Sequence, residues 1–143
     1  MKKNKFRIWD KENNCFWENI YEAYKGNVQE LLINLNGDLI LRTLEGTTHE
    51  SVFPDRFEIL RYIGLDDVNG KEIYENYIVK FGRFAGNPVT GTYWVEDIGV
   101  IRWINNHSSF RFCYNGQEQK IRDCYYWEVI GNIYENKELL IRK

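Results

Sequence analysis

The sequence predicts a mainly β protein with little helix, and three observations carry that reading. The 143 residues include five Trp, ten Tyr and eight Phe, side chains that favour extended backbone and bury large areas. Asn36-Gly37 and Asn69-Gly70 interrupt apolar runs with the turn chemistry that antiparallel strands need. No segment sustains a convincing 3.6-residue apolar period.

In chain order, "KFRIWD" alternates Phe6 and Ile8 with Arg7 and Trp9, and "KENN" supplies a turn before "CFWENIY". "LLINLNGDLILRTL" reads as a hairpin. A three-residue turn there pairs Leu35 with Leu39 and Ile33 with Leu41, gathers the apolar residues on one face, and puts Asp38 in a left-handed conformation. "EGTTHESVFPDR" reads as loop, ended by Phe53-Pro54. "RFEILRYIGL" leads through the turn "DDVNG" into "KEIYENYIVKF". "GRFAGNPVTGT", with three glycines and a proline, reads as a flexible loop. "DIGVIRWIN" and "SFRFCYN" are strands joined at Asn106-His107, "GQEQ" turns again, and "CYYWEVIGNIYE" is the last long strand. "YEAYKGNVQELL" approaches a helical pattern but Gly26 interrupts it, which leaves "NKELLIRK" as the remaining helix candidate.

The string "IYEN" occurs twice, ending on Asn76 and on Asn136. Asn76 precedes the β-forming run Tyr77-Ile78-Val79, so it suits a positive-φ turn into a strand. Asn136 precedes Lys137-Glu138-Leu139-Leu140, where an Asn suits a helix N-cap. The following residues decide the job.

Net charge is −2, with 8 basic and 10 acidic residues through Leu60 and 11 of each beyond it. No bulk charge therefore draws the chain to nucleic acid, and any such binding needs a local cluster. No apolar run reaches bilayer-spanning length, and the basic start has no apolar stretch behind it, so neither membrane insertion nor secretion is expected. Cys15, Cys113 and Cys124 lack a Cys-x-x-Cys spacing and suit a reducing cytoplasm.

Three segments together span most of the chain and resemble the YopX family of small phage and prophage proteins. They are "KFRIWDKENN", "YIGLDDVNGKEIYENYIVKF" and "WEVIGNIYENKELL". The family usually carries Glu-Gly-Asp where this chain has Glu75-Asn76-Tyr77, and often Pro where it has Lys137. The resemblance implies short N-terminal strands packed on a C-terminal SH3-like small barrel. The expected organisation is an N-terminal β subdomain at 1-60 and the barrel at 61-143. The resemblance carries over no catalytic residue, and no cofactor is expected.

The chemistry-bearing residues are sparse. A zinc site from His49, His107, Cys113 and Cys124 lacks ligand spacing, and a Cys–His nucleophile lacks an orienting third group. Solvent-facing histidines and buried free thiols are the expectation, with no metal. Asp66-Asp67 with Glu72 and Glu75 are out of register with a calcium loop and read as turn-forming acids. "GRFAGNP" lacks the Lys-Ser/Thr and helix of a phosphate loop. Tyr125, Tyr126, Trp127, Phe110 and Phe112 either fill a small barrel or stack on a ligand, and the core is favoured.

The hairpin "IRWINNHSSFRF" carries the one candidate site. Pairing Trp103 with Phe110 and Ile101 with Phe112 makes an apolar face, and it puts Arg102 opposite Arg111 on the other. Like charges so placed repel. A carboxylate of the same chain, from Glu96, Asp97 or Glu128, or an anionic partner should neutralise them. The expected function is a non-enzymatic module binding protein or nucleic acid through Arg102 and Arg111. The alternatives are a small host-directed accessory enzyme and an assembly protein whose edge strands pair in an oligomer.

Overall fold

The alternating apolar positions and turn residues form thirteen strands and four single 3-10 turns, with no α-helix among the described residues. The structure is a computed structural model that describes residues 5–122 and 125–141. The protein is mainly β, as the sequence predicts. It divides into two compact units, one comprising Arg7–Ile59 and the other running from Leu60 onward with the residues up to Phe6. Among the described residues no helix is long and apolar enough to cross a membrane.

In the first unit β1 (Phe6–Asp10) pairs with β2 (Cys15–Phe16), and β7 (Phe57–Asp66), which begins in this unit, is the neighbour of β1 on its other side. Trp9 is buried and meets Phe16 edge to face at 5.0 Å, so the inward face of β1 carries Trp9 rather than Phe6. A meander follows, in the order β3 (Ile20–Glu22), β4 (Asn27–Ile33), β5 (Leu39–Thr43) and β6 (Gly46–His49). The expected loop around Gly46 is thus a strand, and the near-helical stretch around Gly26 is two strands about a 3-10 turn at Ala23–Lys25.

The β4–β5 hairpin forms, but two residues out from the expected register: Ile33 pairs with Leu39 and Leu31 with Leu41. The cause is Asn34. Its side-chain oxygen accepts from the N–H groups of Asn36 and Asp38 at 3.0 and 2.9 Å, which closes the turn over Leu35-Asn36-Gly37. Gly37, at φ 86°, takes the left-handed position expected of Asp38. A shift of two preserves parity, so the apolar face survives.

A buried ion pair ties this unit together. Asp10, 1% exposed, accepts from Arg56 Nε and Nη2 at 3.1 and 3.0 Å, from Asn13 Nδ2 at 2.9 Å and from the Glu12 N–H at 3.0 Å. Burial pushes its carboxyl up, but the hydrogen bonds from Arg56, Asn13 and Glu12 outweigh that and hold it below the ordinary value of 3.8.

In the second unit the remainder of β7 pairs with β8 (Glu72–Tyr74), with an irregularity that coincides with Gly64 at φ 89°. Five further strands form one antiparallel sheet. They are β9 (Tyr77–Asn87), β10 (Gly91–Ile104), β11 (Ser109–Tyr114), β12 (Gln117–Lys120) and β13 (Tyr126–Asn132), in the order β12-β11-β10-β9-β13. Ile78, Val79, Phe81, Ile101, Phe112 and Trp127 are buried, with Trp127 stacked on Phe81 at 4.5 Å. The stretch expected to be a flexible loop is instead the continuation of β9 and β10 as a two-stranded ribbon. Asn87 Oδ1 accepts from the Val89 and Thr90 N–H groups and organises its tip.

Asp67 fixes the other end of this unit. Its carboxylate accepts from the backbone of Asn69 and Lys71 across the turn, and from Val129 on β13. It is the turn-forming acid that the sequence suggests. Asn76 has φ 65°, as expected, and its N–H donates to the Ile101 carbonyl at 2.8 Å. Its side chain also donates to the Tyr134 hydroxyl at 2.9 Å. Asn76→Gly should therefore stay within about 1 kcal/mol of wild type, relief of backbone strain offsetting one lost hydrogen bond. Asn76→Val should cost about 1–2 kcal/mol. Identical urea midpoints for the two variants would show that the conformation carries no cost.

Asn136 does not cap the segment after it, a single 3-10 turn at Lys137–Leu140. Its side-chain oxygen turns back to accept from the Asn132 N–H at 3.2 Å, lying against Gly131 where β13 bulges.

Candidate functional site

The site begins as a strand-pairing problem. Ile101 and Trp103 alternate with Arg102 on β10, and Phe110 and Phe112 flank Arg111 on β11. Burying Ile101 against Phe112 sets the register, which pairs Trp103 with Phe110 and Arg102 with Arg111 as the sequence predicts. The connection is a four-residue loop closed by Ser108 at φ 46°. Trp103 and Phe110 meet edge to face at 5.1 Å, and the Arg61 guanidinium lies over both rings. Arg61 is itself paired with Glu75 at 2.6 Å.

The row of cations is longer than the sequence suggests. Asn115 and Gly116, both at positive φ, turn β11 directly into β12, whose residues were expected to form the turn. That pairing sets Lys120 opposite Arg111. Arg102, Arg111 and Lys120 therefore lie side by side across three adjacent strands. Arg111 Nε donates to the Ser109 hydroxyl at 3.0 Å, which orients its guanidinium.

The carboxylates expected to neutralise this row are engaged elsewhere. Glu96 pairs with Lys80 at 3.2 Å, Glu128 lies 3.9 Å from the same ammonium, and Asp97 pairs with Arg83 at 3.1 Å. Glu118 faces His107 at 3.5 Å. Among the described residues, no carboxylate forms an ion pair with Arg102, Arg111 or Lys120. Beside the row lies a groove of roughly 330 Å³ lined by His107, Ser109, Phe110, Arg111, Lys120, Ile121 and Arg122. Burial pushes the neighbouring Cys113 thiol up, Glu118 adds to the shift and Arg102 opposes it.

The other candidates disperse. In the first unit His49 lies between Ser51 Oγ at 2.9 Å and Asp38 at 3.1 Å, and its Nδ1 accepts from the Ser51 N–H. The two donors at Nδ1 compete for one lone pair, the mark of a turn cap. His107 and Cys113 belong to the other unit, and Cys124 lies outside the described residues. Among the described residues no three His, Cys, Asp or Glu side chains converge. The acids Asp66, Asp67, Glu72 and Glu75 go separately to Tyr62, backbone N–H groups, Lys5 and Arg61. Of the aromatics, Trp127 and Phe112 are buried, Tyr125 packs on Phe81, and Tyr126 meets Trp94 on a part-exposed face.

A mainly β chain with a cationic row across one antiparallel sheet is the class that the fold and the site define. The chain belongs to the YopX family, whose model, described as YopX protein, matches residues 5–141. Two solved structures share the fold. Protein EF1440 from Enterococcus faecalis is 20% identical at a TM-score of 0.55, over 97% of this chain and 99% of that one. Protein yopX from Bacillus subtilis is 22% identical at a TM-score of 0.55, over 95% and 97%. At these identities the likeness shows the fold alone. No curated protein matches the chain.

Proposed function

We propose that the protein is a non-enzymatic binding module, phage- or prophage-encoded, that takes an anionic group of a protein or nucleic-acid partner on Arg102 and Arg111. One observation carries this reading: three cations stand in a cross-strand row without a carboxylate ion pair among the described residues. Like charges directly opposite each other destabilise a sheet, so the arrangement costs stability that a bound anion would return. Paired guanidinium forks suit phosphate or carboxylate oxygens. The free thiols of Cys15 and Cys113 support action in a reducing cytoplasm.

The test is charge reversal at both arginines. Arg102→Glu with Arg111→Glu should abolish capture of the partner from cell extract while leaving the melting temperature nearly unchanged. Nuclease treatment in parallel separates the two partner classes. Retained capture together with a large loss of stability would make the pair structural.

A second reading has its own observation. Among the described residues Gly91–Ile98 of β10 pairs with β9 alone, and that edge carries exposed Tyr93 and Trp94 with Glu96 and Asp97 as its charges and no Lys or Pro. Assembly by strand addition would show as concentration-dependent mass in sedimentation, lost in Val95→Pro.

A further inference from the structure

We infer that the edge of β10 at Gly91–Ile98 takes an extended, arginine-bearing segment of a protein partner, whose guanidinium lies on Trp94 and reaches Glu96. The inference keeps from the second reading above only that this edge is open to strand addition, and it names a different occupant. Trp94 pairs with Phe84 across the ladder, Glu96 and Tyr126 flank Gly82, and Ile98 and Glu128 flank Lys80, so these side chains share one face of the sheet. Gly82 admits the indole, because a Cβ there would collide with Trp94 Cζ2. The Trp94 ring meets Phe84 edge to face at 5.0 Å and Tyr126 at 5.6 Å. They form an aromatic ledge beside the open edge, with Phe84 72% and Trp94 42% exposed.

Elsewhere the chain covers accessible rings with its own cations. Arg7 lies over Phe16, Arg61 over Trp103 and Phe110, Arg56 over Phe57, and Lys25 over Tyr24. Among the described residues no cation lies over Phe84, Trp94 or Tyr126. The ledge instead carries an excess of negative charge. Lys80 is shared between Glu96 at 3.2 Å and Glu128 at 3.9 Å, one ammonium against two carboxylates. Hydrogen bonds from the Trp94 indole and from Lys80 hold the Glu96 carboxyl below its ordinary value, so it is ionised at neutral pH. On the opposite face Asp97 is matched by Arg83. Exposed π-faces beside an unbalanced carboxylate favour a cation.

The edge supplies the backbone half of the recognition. An added strand lies about 4.8 Å from β10, and its alternate side chains project on the Trp94–Glu96 face. Arginine suits this face better than lysine, because a planar guanidinium lies flat on an indole while its N–H groups reach a carboxylate. A second copy of the chain suits it less. Its own Gly91–Ile98 brings the same Glu96 and Asp97 and no cation. Nucleic acid meets repulsion from the same charge.

The test is an NMR titration of the isotope-labelled full chain with a peptide of about ten residues that alternates threonine with arginine. Counterparts carry citrulline or glutamate in place of arginine; citrulline keeps the shape and loses the charge. The arginine peptide should bind and slow solvent exchange of the outward amides of Gly91–Ile98, because a ladder closes over them. Glu96→Gln and Trp94→Leu should each weaken that binding roughly tenfold and leave the citrulline peptide unaffected. Glu96→Gln keeps an acceptor for the Trp94 indole, so it removes the charge with the ledge intact. A citrulline peptide bound as tightly as the arginine one, or arginine binding indifferent to Glu96→Gln, would overturn the cation inference while strand addition stands. A preference for the glutamate peptide would overturn it as well. Arginine binding that leaves the Gly91–Ile98 amides unprotected would place the segment elsewhere and overturn the inference. Protection that rises with the protein's own concentration, without peptide, would make the occupant a second copy and leave only the assembly reading. Silence with every peptide, and no protection at any protein concentration, would remove both.

Discussion

Asp10→Ala is expected to cost about 3–5 kcal/mol, because it leaves the Arg56 guanidinium largely buried without its counter-charge. Arg56 also approaches Glu12 at 3.1 Å, but Glu12 is mostly exposed and compensates weakly. Urea unfolding followed by tryptophan fluorescence reads the loss, since Trp9 and Trp17 lie in the same unit. The double variant Asp10→Ala with Arg56→Ala should recover part of it, because the penalty belongs to the unpaired cation rather than to the missing contact. A double variant as unstable as the sum of the singles would show that the two residues act separately. The pH dependence has a definite sign. The folded carboxyl sits below its ordinary value of 3.8, so its contribution is complete above that pH and is lost as pH falls through the lower, folded value. Asp10→Asn should lack that acid-induced loss.

Trp127→Ala should be comparably severe, about 3–5 kcal/mol, because it empties the centre of the five-stranded sheet's core. Trp127 is 2% exposed, stacks on Phe81 at 4.5 Å and meets Phe112 edge to face at 5.4 Å. Its indole N–H donates to the Arg122 carbonyl at 2.7 Å, which ties the core to a residue that lines the groove. Trp127→Phe separates the two roles. It keeps much of the apolar volume and removes the donor, so it should cost about 1–3 kcal/mol. A Trp127→Phe variant as stable as wild type would show that the Arg122 carbonyl finds another donor.

Where pairing is enforced by local side-chain alternation, the sequence is readable. Ile101, Trp103, Phe110 and Phe112 all find partners among themselves in one register only, and Asn76 announces its turn through the strand formers after it. Reading failed where a side chain acts on backbone some residues away. Asn34 shifted the β4–β5 hairpin by capping its own turn, and Asn136 turned back to Asn132 instead of forward. Lys120 was missed because Gln117–Lys120 is polar throughout and looks like loop; only the Asn115-Gly116 turn signals the strand. The Asp10–Arg56 pair joins residues 46 apart, and nothing local marks either as buried.

The placement of β9 between β10 and β13 bears on how the chain is made. Translation delivers β9 and then β10, which can zip together at once as neighbours in sequence. The opposite edge of β9 must wait until Tyr126–Asn132 has left the ribosome, because among the described residues Tyr77–Gly82 pairs there with that strand alone. Closing that long loop is slow relative to hairpin formation. For that interval Ile78, Val79 and Phe81 belong to a nascent sheet with an open flank, the condition under which unfinished β proteins adhere to one another.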